Sequence, residues 1–352
     1  NGNTMNDGDG DDDDNRVCKW RGNATVCVGS CQGDKACHNL ETHATILPFS
    51  CSGEKACYEL GYYSSKDEDH HDGPSWSQSA PTTSVAVGPK ACNEEKACSK
   101  AGRKAEAVHA GYASCTGFAA CSKLGDSTDG FVSIADYACD GAQSCDSMDA
   151  TESIAVGTKA CFDGEACFSV GSDHQPRAVS IGEASCVGFD SCYGVGHDVT
   201  SSYTVTIDDG SCVGNYACHK LGRFVRNGNV SVGHGACLGE RSCFEVASRS
   251  YHDHVGGQNS AGGSASVGDE SCTDAYICYK FGHDLDNGGS VSITSNACTS
   301  TDTDVCGTKE SVGGDAACGG GRCNKGDSFI LSSSTNVVSD CTQFCVDSNI
   351  AP

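Results

Sequence analysis

The chain has 352 residues, 28 of them cysteine, and a formal charge of -24. Cysteine at this density points to an oxidising compartment, where covalent cross-links substitute for apolar bulk. The acidic balance has no basic stripe to offset it and argues against a nucleic-acid partner. No run of 18 apolar residues is present, which argues against membrane insertion. The start at Asn1, without a leading apolar stretch, reads as a processed, secreted form.

The first segment, residues 1–17, carries six aspartates between Asp7 and Asp14 among glycines. Mutual repulsion and the lack of apolar anchors predict a disordered head, able at most to bind calcium or a polycation weakly. Cys18 and Cys27 follow as a cap, with an Asn23-Ala24-Thr25 glycosylation sequon between them.

From Cys31 onward the segment Cys-x5-Cys recurs ten times: Cys31/Cys37, Cys51/Cys57, Cys92/Cys98, Cys115/Cys121, Cys139/Cys145, Cys161/Cys167, Cys186/Cys192, Cys212/Cys218, Cys237/Cys243 and Cys272/Cys278. Most first cysteines between Cys92 and Cys272 are 22 to 26 residues apart. A coil therefore takes about two dozen residues, with longer insertions at 62–83 and 247–264. Before each pair runs a short alternation, as in Val85/Val87, Val132/Ile134, Ile154/Val156, Val179/Ile181, Val205/Ile207, Val230/Val232 and Val291/Ile293. Period two predicts a strand with these residues inward. One such strand cannot bury its face alone, whereas stacked coils pair it with its copies about 4.8 Å away. Glycine every few residues and the absence of a 3.6-residue period predict very little helix.

The expected fold class is all-β: a parallel β-solenoid of about 24-residue coils, stapled by disulfides. About thirteen coils, counting weaker units at Cys298, Cys318 and Cys341, would make a rod on the order of 60 Å long. Right-handed winding is the default for parallel crossovers. Residues 18–297 form the regular array, and residues 298–352, with Cys298, Cys306, Cys318, Cys323, Cys341 and Cys345 at altered spacings, read as irregular coils or a cap.

Runs such as GEASCVGFDSCYGVG (182–196) and DDGSCVGNYACHKLG (208–222) resemble the cysteine-rich secreted repeat proteins of diatoms and related algae. The resemblance spans roughly residues 27 to 298 and implies a repeat architecture. It carries no catalytic or ligand-binding residue.

Two cysteines six apart around a turn can reach bonding distance if the turn folds back, so bridges within each repeat are the preferred pairing. Bridges between equivalent cysteines of neighbouring coils also satisfy the Cα range. A zinc reading is weaker, because metal sites favour Cys-x2-Cys spacing.

Between the inward pairs lies one outward position per coil: Ala86, Ser133, Ala155, Ser180, Thr206, Ser231, Ser266 and Ser292. Stacked, they predict a flat column of small side chains, suited to lateral packing or to ordering water against ice. Asn229-Val230-Ser231 supplies a second sequon there. A second column, Tyr58, Phe168, Tyr193, His219, Phe244 and Tyr279, could stack on itself or on sugar rings. Leu60, Leu124, Val170, Val195, Leu221, Val246 and Phe281 should complete the core. The stretch from Lys66 to Asp72 carries carboxylates and histidines without a recognised cation-loop spacing. No nucleophile elbow, phosphate loop or zinc-protease motif is present, so the chain reads as a non-enzyme without a cofactor. The expected role is structural or adhesive, in an extracellular matrix, surface coat or filament. Partners would be further copies, other matrix proteins or polysaccharide. The alternative is a module that binds polysaccharide or ice.

Overall fold

A computed structural model describes residues 18–21, 24–37, 43–58, 84–99, 107–122, 131–146, 153–168, 178–194, 204–219, 229–244, 264–275, 278, 290–293, 295, 329–331 and 337–338. The described part of each regular coil is a four-residue strand, a corner and the cysteine loop. Strands β2(Ala24–Cys27), β3(His43–Ile46), β4(Ser84–Val87), β5(Ala107–Ala110), β6(Phe131–Ile134), β7(Ser153–Val156), β8(Ala178–Ile181), β9(Thr204–Ile207), β10(Asn229–Val232), β11(Ser264–Val267) and β12(Ser290–Ile293) follow in chain order. Each pairs in parallel with the next, and the sheet order is the sequence order. Val179, Val205 and Val230 are direct register partners, as a stack of equivalent coils demands. The fold is thus a parallel β-solenoid, and no helix occurs among the described residues.

The parallel ladder ends differently from how it runs. At the first coil, β1(Cys18–Arg21) pairs antiparallel with β2. At the last, β13(Phe329–Leu331) pairs antiparallel with β12, and β14(Val337–Val338) with β13. Reversed strands at both edges break the repeat that another solenoid would have to continue.

In strands β3 to β11 the second and fourth residues point inward: Ile154, Val156, Val205, Ile207, Val230 and Val232 are all at most 2 % exposed. They form one continuous apolar cluster with the cysteines and the alanines beside them, from Ala24 to Ile293. Burial of such a branched side chain contributes about 1.5–3 kcal/mol. Because the cluster is thin, residues next to the cysteines must be small.

The corner and cysteine loop are built from an unusual backbone. In the coil containing Cys186, every second residue has a left-handed φ: Ala184 (53°), Cys186 (54°), Gly188 (125°), Asp190 (56°) and Cys192 (59°). The same alternation recurs in neighbouring coils, with both cysteines of each pair left-handed. A non-glycine residue in this region costs about 1–2 kcal/mol. That cost is offset by bonds between coils. The N–H groups of Ala184, Gly188 and Asp190 donate to the preceding coil at Thr158, Phe162 and Gly164 (2.9, 2.9 and 3.2 Å). Those of Cys186 and Cys192 donate to the following coil at Ser211 and Ala217 (3.0 and 2.9 Å).

Candidate interaction surfaces

All ten regular cysteine pairs are bonded within their own coil: Cys31–Cys37, Cys51–Cys57, Cys92–Cys98, Cys115–Cys121, Cys139–Cys145, Cys161–Cys167, Cys186–Cys192, Cys212–Cys218, Cys237–Cys243 and Cys272–Cys278. Their Cα separations run from 5.4 to 6.0 Å. The left-handed bends at both ends of the loop bring the two Cα atoms into the bonding range. From Cys51 to Cys272 they are fully or almost fully buried, so the disulfides line the interior opposite the strands.

Cys57 shows how the structure corrects the alternatives that spacing leaves open. It bonds Cys51, with Cα atoms 5.6 Å apart, and not Cys98, its equivalent in the following coil, which bonds Cys92. The two coils are joined there by backbone instead, the Cys57 N–H donating to Ala97 at 3.0 Å in spite of the insertion at 62–83 between them. Cys57 is also fully buried, so it presents no sulfur to solvent and is a structural residue rather than part of an exposed site. The physical reason is its φ of 52°, which turns the side chain back toward Cys51 in its own coil.

The Ser or Ala before each regular cysteine from Cys31 to Cys272 is fixed by the same geometry. Ser144, Ser191 and Ser242 are fully buried, and each hydroxyl donates to the carbonyl of the next coil's first cysteine at 2.6 Å, namely Cys161, Cys212 and Cys272. Ser114 and Ser185 bond corner carbonyls at Gly111 (3.0 Å) and Asp208 (2.7 Å). Hydroxyl and methyl alternate at this site because either fits and the hydroxyl finds a partner.

The outward strand face carries the small-residue column in register. Ala86, Ser133, Ala155, Ser180, Thr206, Ser231, Ser266 and Ser292 follow one another rung by rung, with Thr45 preceding Ala86 and His109 inserted between Ala86 and Ser133. Ser133, Ala155 and Ser180 are exposed, whereas Ala86, Thr206, Ser231 and Ser266 are half-buried. The column therefore holds one imidazole among its small groups. His109 escapes a search for branched residues because its strand reads Ala107-Val108-His109-Ala110, with alanine in one inward place. Asn229 is exposed at the start of β10, on this same face. Asn23 lies outside the described residues, as do residues 7–14, 66–72, Tyr279, Leu60, Leu124, Val170, Val195, Leu221, Val246 and Phe281.

The aromatic column is a self-contained stack. Phe168 and Tyr193 are parallel at 5.2 Å, Tyr193 and His219 at 4.9 Å, and His219 and Phe244 at 4.8 Å. His219 is only 8 % exposed, and the faces of these rings are spent on one another. Other rings are open to solvent, and three of these lie on the cysteine loop. Phe118, Phe162 and Phe189 are 46 %, 46 % and 39 % exposed. Phe162 leads a line of isolated parallel bridges through Val187, Val213 and Leu238, one rung apart. Sequence reading overlooks these rings because the loop positions that bear them are polar in other coils, such as Asn93 and Glu95.

Charge on this loop also changes along the array. Near the start, Lys55 and Lys96 pair with Glu54 and Glu95 at 2.9 Å. The hydrogen bond and charge of Lys55 hold the Glu54 carboxyl below its usual range. Farther on, Asp190 is buried against Glu165 of the preceding coil. Burial first, then the hydrogen bond that protonated Asp190 donates to the Glu165 carboxylate and repulsion by that charge, push the Asp190 carboxyl up to about 6. The folded chain therefore holds this proton more tightly than the unfolded one. No penalty exists below the unfolded value near 3.8; it develops as pH rises and is complete above about 6. Asp190→Asn is expected to stabilise the protein at pH 8 by on the order of 1–2 kcal/mol more than at pH 4. Denaturant melts of both proteins at both pH values measure it, and an equal effect at the two would overturn the assignment.

Comparison of the chain with protein-family models, curated proteins and solved structures returned no match. What is established is a cysteine-rich parallel β-solenoid with a disulfide about every 25 residues. The disulfides indicate an oxidising environment. Among the described residues no helix is long and apolar enough to cross a membrane.

Proposed function

We propose that this chain is an extracellular structural or adhesive repeat protein, a subunit of a matrix, surface coat or filament that assembles sideways through its outward strand face. The supporting observation is the register itself. Ser133, Ala155, Ser180 and Thr206 repeat at one strand spacing, so a like face can approach along these rungs, bounded at one end by His109 and the exposed Phe131 ring. The antiparallel strands at both ends favour side contacts over end-to-end growth. Secretion, glycosylation at Asn23 and Asn229, and kinship with the diatom-type repeat proteins are part of this reading. A glycan on Asn229 would stand on the packing face and confine close contact to the other coils. The role is non-catalytic and needs no cofactor; calcium would bind only weakly, at the acidic head.

Electron microscopy across a concentration series tests the proposal: rods should associate into sheets or filaments as concentration rises. Isolated short rods at every concentration, with and without calcium, would remove it. The variant carrying Ser133→Arg, Ala155→Arg and Ser180→Arg should lose lateral association while each exposed change alters stability by no more than about 0.5 kcal/mol. Thermal melts read alongside the micrographs separate that outcome from misfolding.

A second reading, a polysaccharide-binding module, is favoured by the solvent-open rings of Phe118, Phe162 and Phe189, which offer faces to sugar rings. It predicts a monomer that binds glycans and loses binding in Phe162→Ala and Phe189→Ala. Ice-shaping assays test the use of the small-residue face as a water-ordering surface.

A further inference from the structure

A short apolar strip runs along the cysteine loops. Phe162, Val187, Val213 and Leu238 hold the first place after the leading cysteine in four successive coils and are joined as isolated parallel bridges, one rung apart. Phe162 is 46 % exposed and the other three are half-buried. In the coils before them the same place is polar, as at Asn93, Thr116 and Asp140, so the strip is confined to one stretch of the array. A contiguous apolar strip on an otherwise polar surface marks a site of contact.

The surroundings of the strip are complementary to their own reverse. Glu165 stands three residues on from Phe162, and Arg241 three residues on from Leu238; both are half-buried. The Arg241 guanidinium lies over the Tyr216 ring, 5.4 Å from its centroid. A second copy can be set loop to loop with its coils running the other way, about a two-fold axis between the coils of Cys186 and Cys212. Each column of equivalent positions then meets itself in reverse order. Val187 faces Val213, Phe162 faces Leu238 and Glu165 faces Arg241, each of these contacts occurring twice. The other carboxylates of the two outer loops, Asp163 and Glu240, meet Gly239 and Gly164 and so face no like charge.

We propose that the chain forms an antiparallel two-fold dimer with a second copy through this strip, closed by two Glu165–Arg241 ion pairs. Three of the four strip residues are aliphatic, which suits burial against a like surface better than stacking on a sugar ring. The formal charge of -24 opposes any self-contact, but such repulsion is screened beyond about 8 Å at physiological ionic strength. The contact lies on the cysteine loops, across the coil from the strand face. It therefore stands whether or not that face assembles, and the two together would join the solenoids into layers.

Sedimentation of the full chain carrying Ser133→Arg, Ala155→Arg and Ser180→Arg isolates this contact from any through the strand face, and a monomer–dimer equilibrium is expected. Adding Glu165→Arg or Arg241→Glu sets like charges against each other and should weaken the dimer about tenfold or more. An equal mixture of those two variants restores opposite charges at both pairs, and the mixed dimer should regain affinity to within about threefold. A purely structural role for either residue predicts no such rescue. In the unsubstituted chain, hydroxyl-radical labelling of Phe162 and Leu238 should fall as concentration rises, a measurement that stands even if a variant does not fold. Monomers at every concentration, a mixture no tighter than either variant alone, or labelling that ignores concentration would each overturn the proposal. Dimers that persist while the unsubstituted chain makes no larger assemblies would tell against the strand-face reading alone.

Discussion

Reduction of the protein is expected to unfold the regular array rather than merely loosen it. Each bridge closes a loop of only about seven residues, which removes about 2 kcal/mol of unfolded-state freedom in the chain-entropy model. Ten such bridges together contribute about 20 kcal/mol, more than the 5–15 kcal/mol by which folded domains usually exceed their unfolded states. A further cost is local. Both cysteines of every regular pair are left-handed, and without the bridge nothing covalent holds them there. The sum is an upper figure, because bridges in adjacent coils constrain the same chain. Far-UV circular dichroism during a reductant titration measures the outcome: loss of the β signal is expected, and its persistence after full reduction would show that the strand ladder suffices alone.

Gly188→Val is expected to cost about 3 kcal/mol or more, although Gly188 lies on a surface loop. Gly188 has φ of 125°, where a branched side chain is strongly strained, and a Cβ there would lie 2.7 Å from the Gly214 carbonyl carbon of the next coil. That neighbour is backbone, so relief requires the two coils to part. Parting them weakens the bonds from Gly214 N–H to Val187 and from Tyr216 N–H to Phe189, both at 2.8 Å. Glu94 and Asp163 occupy the equivalent place with φ of 105° and 101°. Some coils therefore accept an unbranched side chain by shifting the loop, and Gly188→Asp is expected to be milder than Gly188→Val. Denaturant melts of the two variants measure the ranking; equal stability to the wild type in Gly188→Val would refute the close approach.

Much of this architecture was legible in the residues themselves. The spacing of the cysteine pairs and the alternation at Val179/Ile181 or Val205/Ile207 specify a coil of fixed length with one buried strand face. For equivalent units there is one economical way to bury that face, which is to stack them in register. The outward column was readable for the same reason: period two leaves no other side for Ser180 or Thr206.

Other features depend on relations that a single repeat does not contain. Whether a cysteine such as Cys57 meets its own partner or its neighbour's turns on backbone angles, and both pairings satisfy the distance rule. Only the run of alternating left-handed residues, held by hydrogen bonds to coils on both sides, selects bonding within the coil. The fate of the rings was likewise undecided, since a column of aromatics has the same spacing whether it stacks on itself or meets solvent. Packing resolved it: Phe168, Tyr193, His219 and Phe244 cover one another, while Phe118, Phe162 and Phe189 face outward. Local periodicity is thus written in the chain because each strand must hide one face. The contacts between coils belong to the tertiary structure, because they arise where residues about 25 positions apart are brought to one strand spacing.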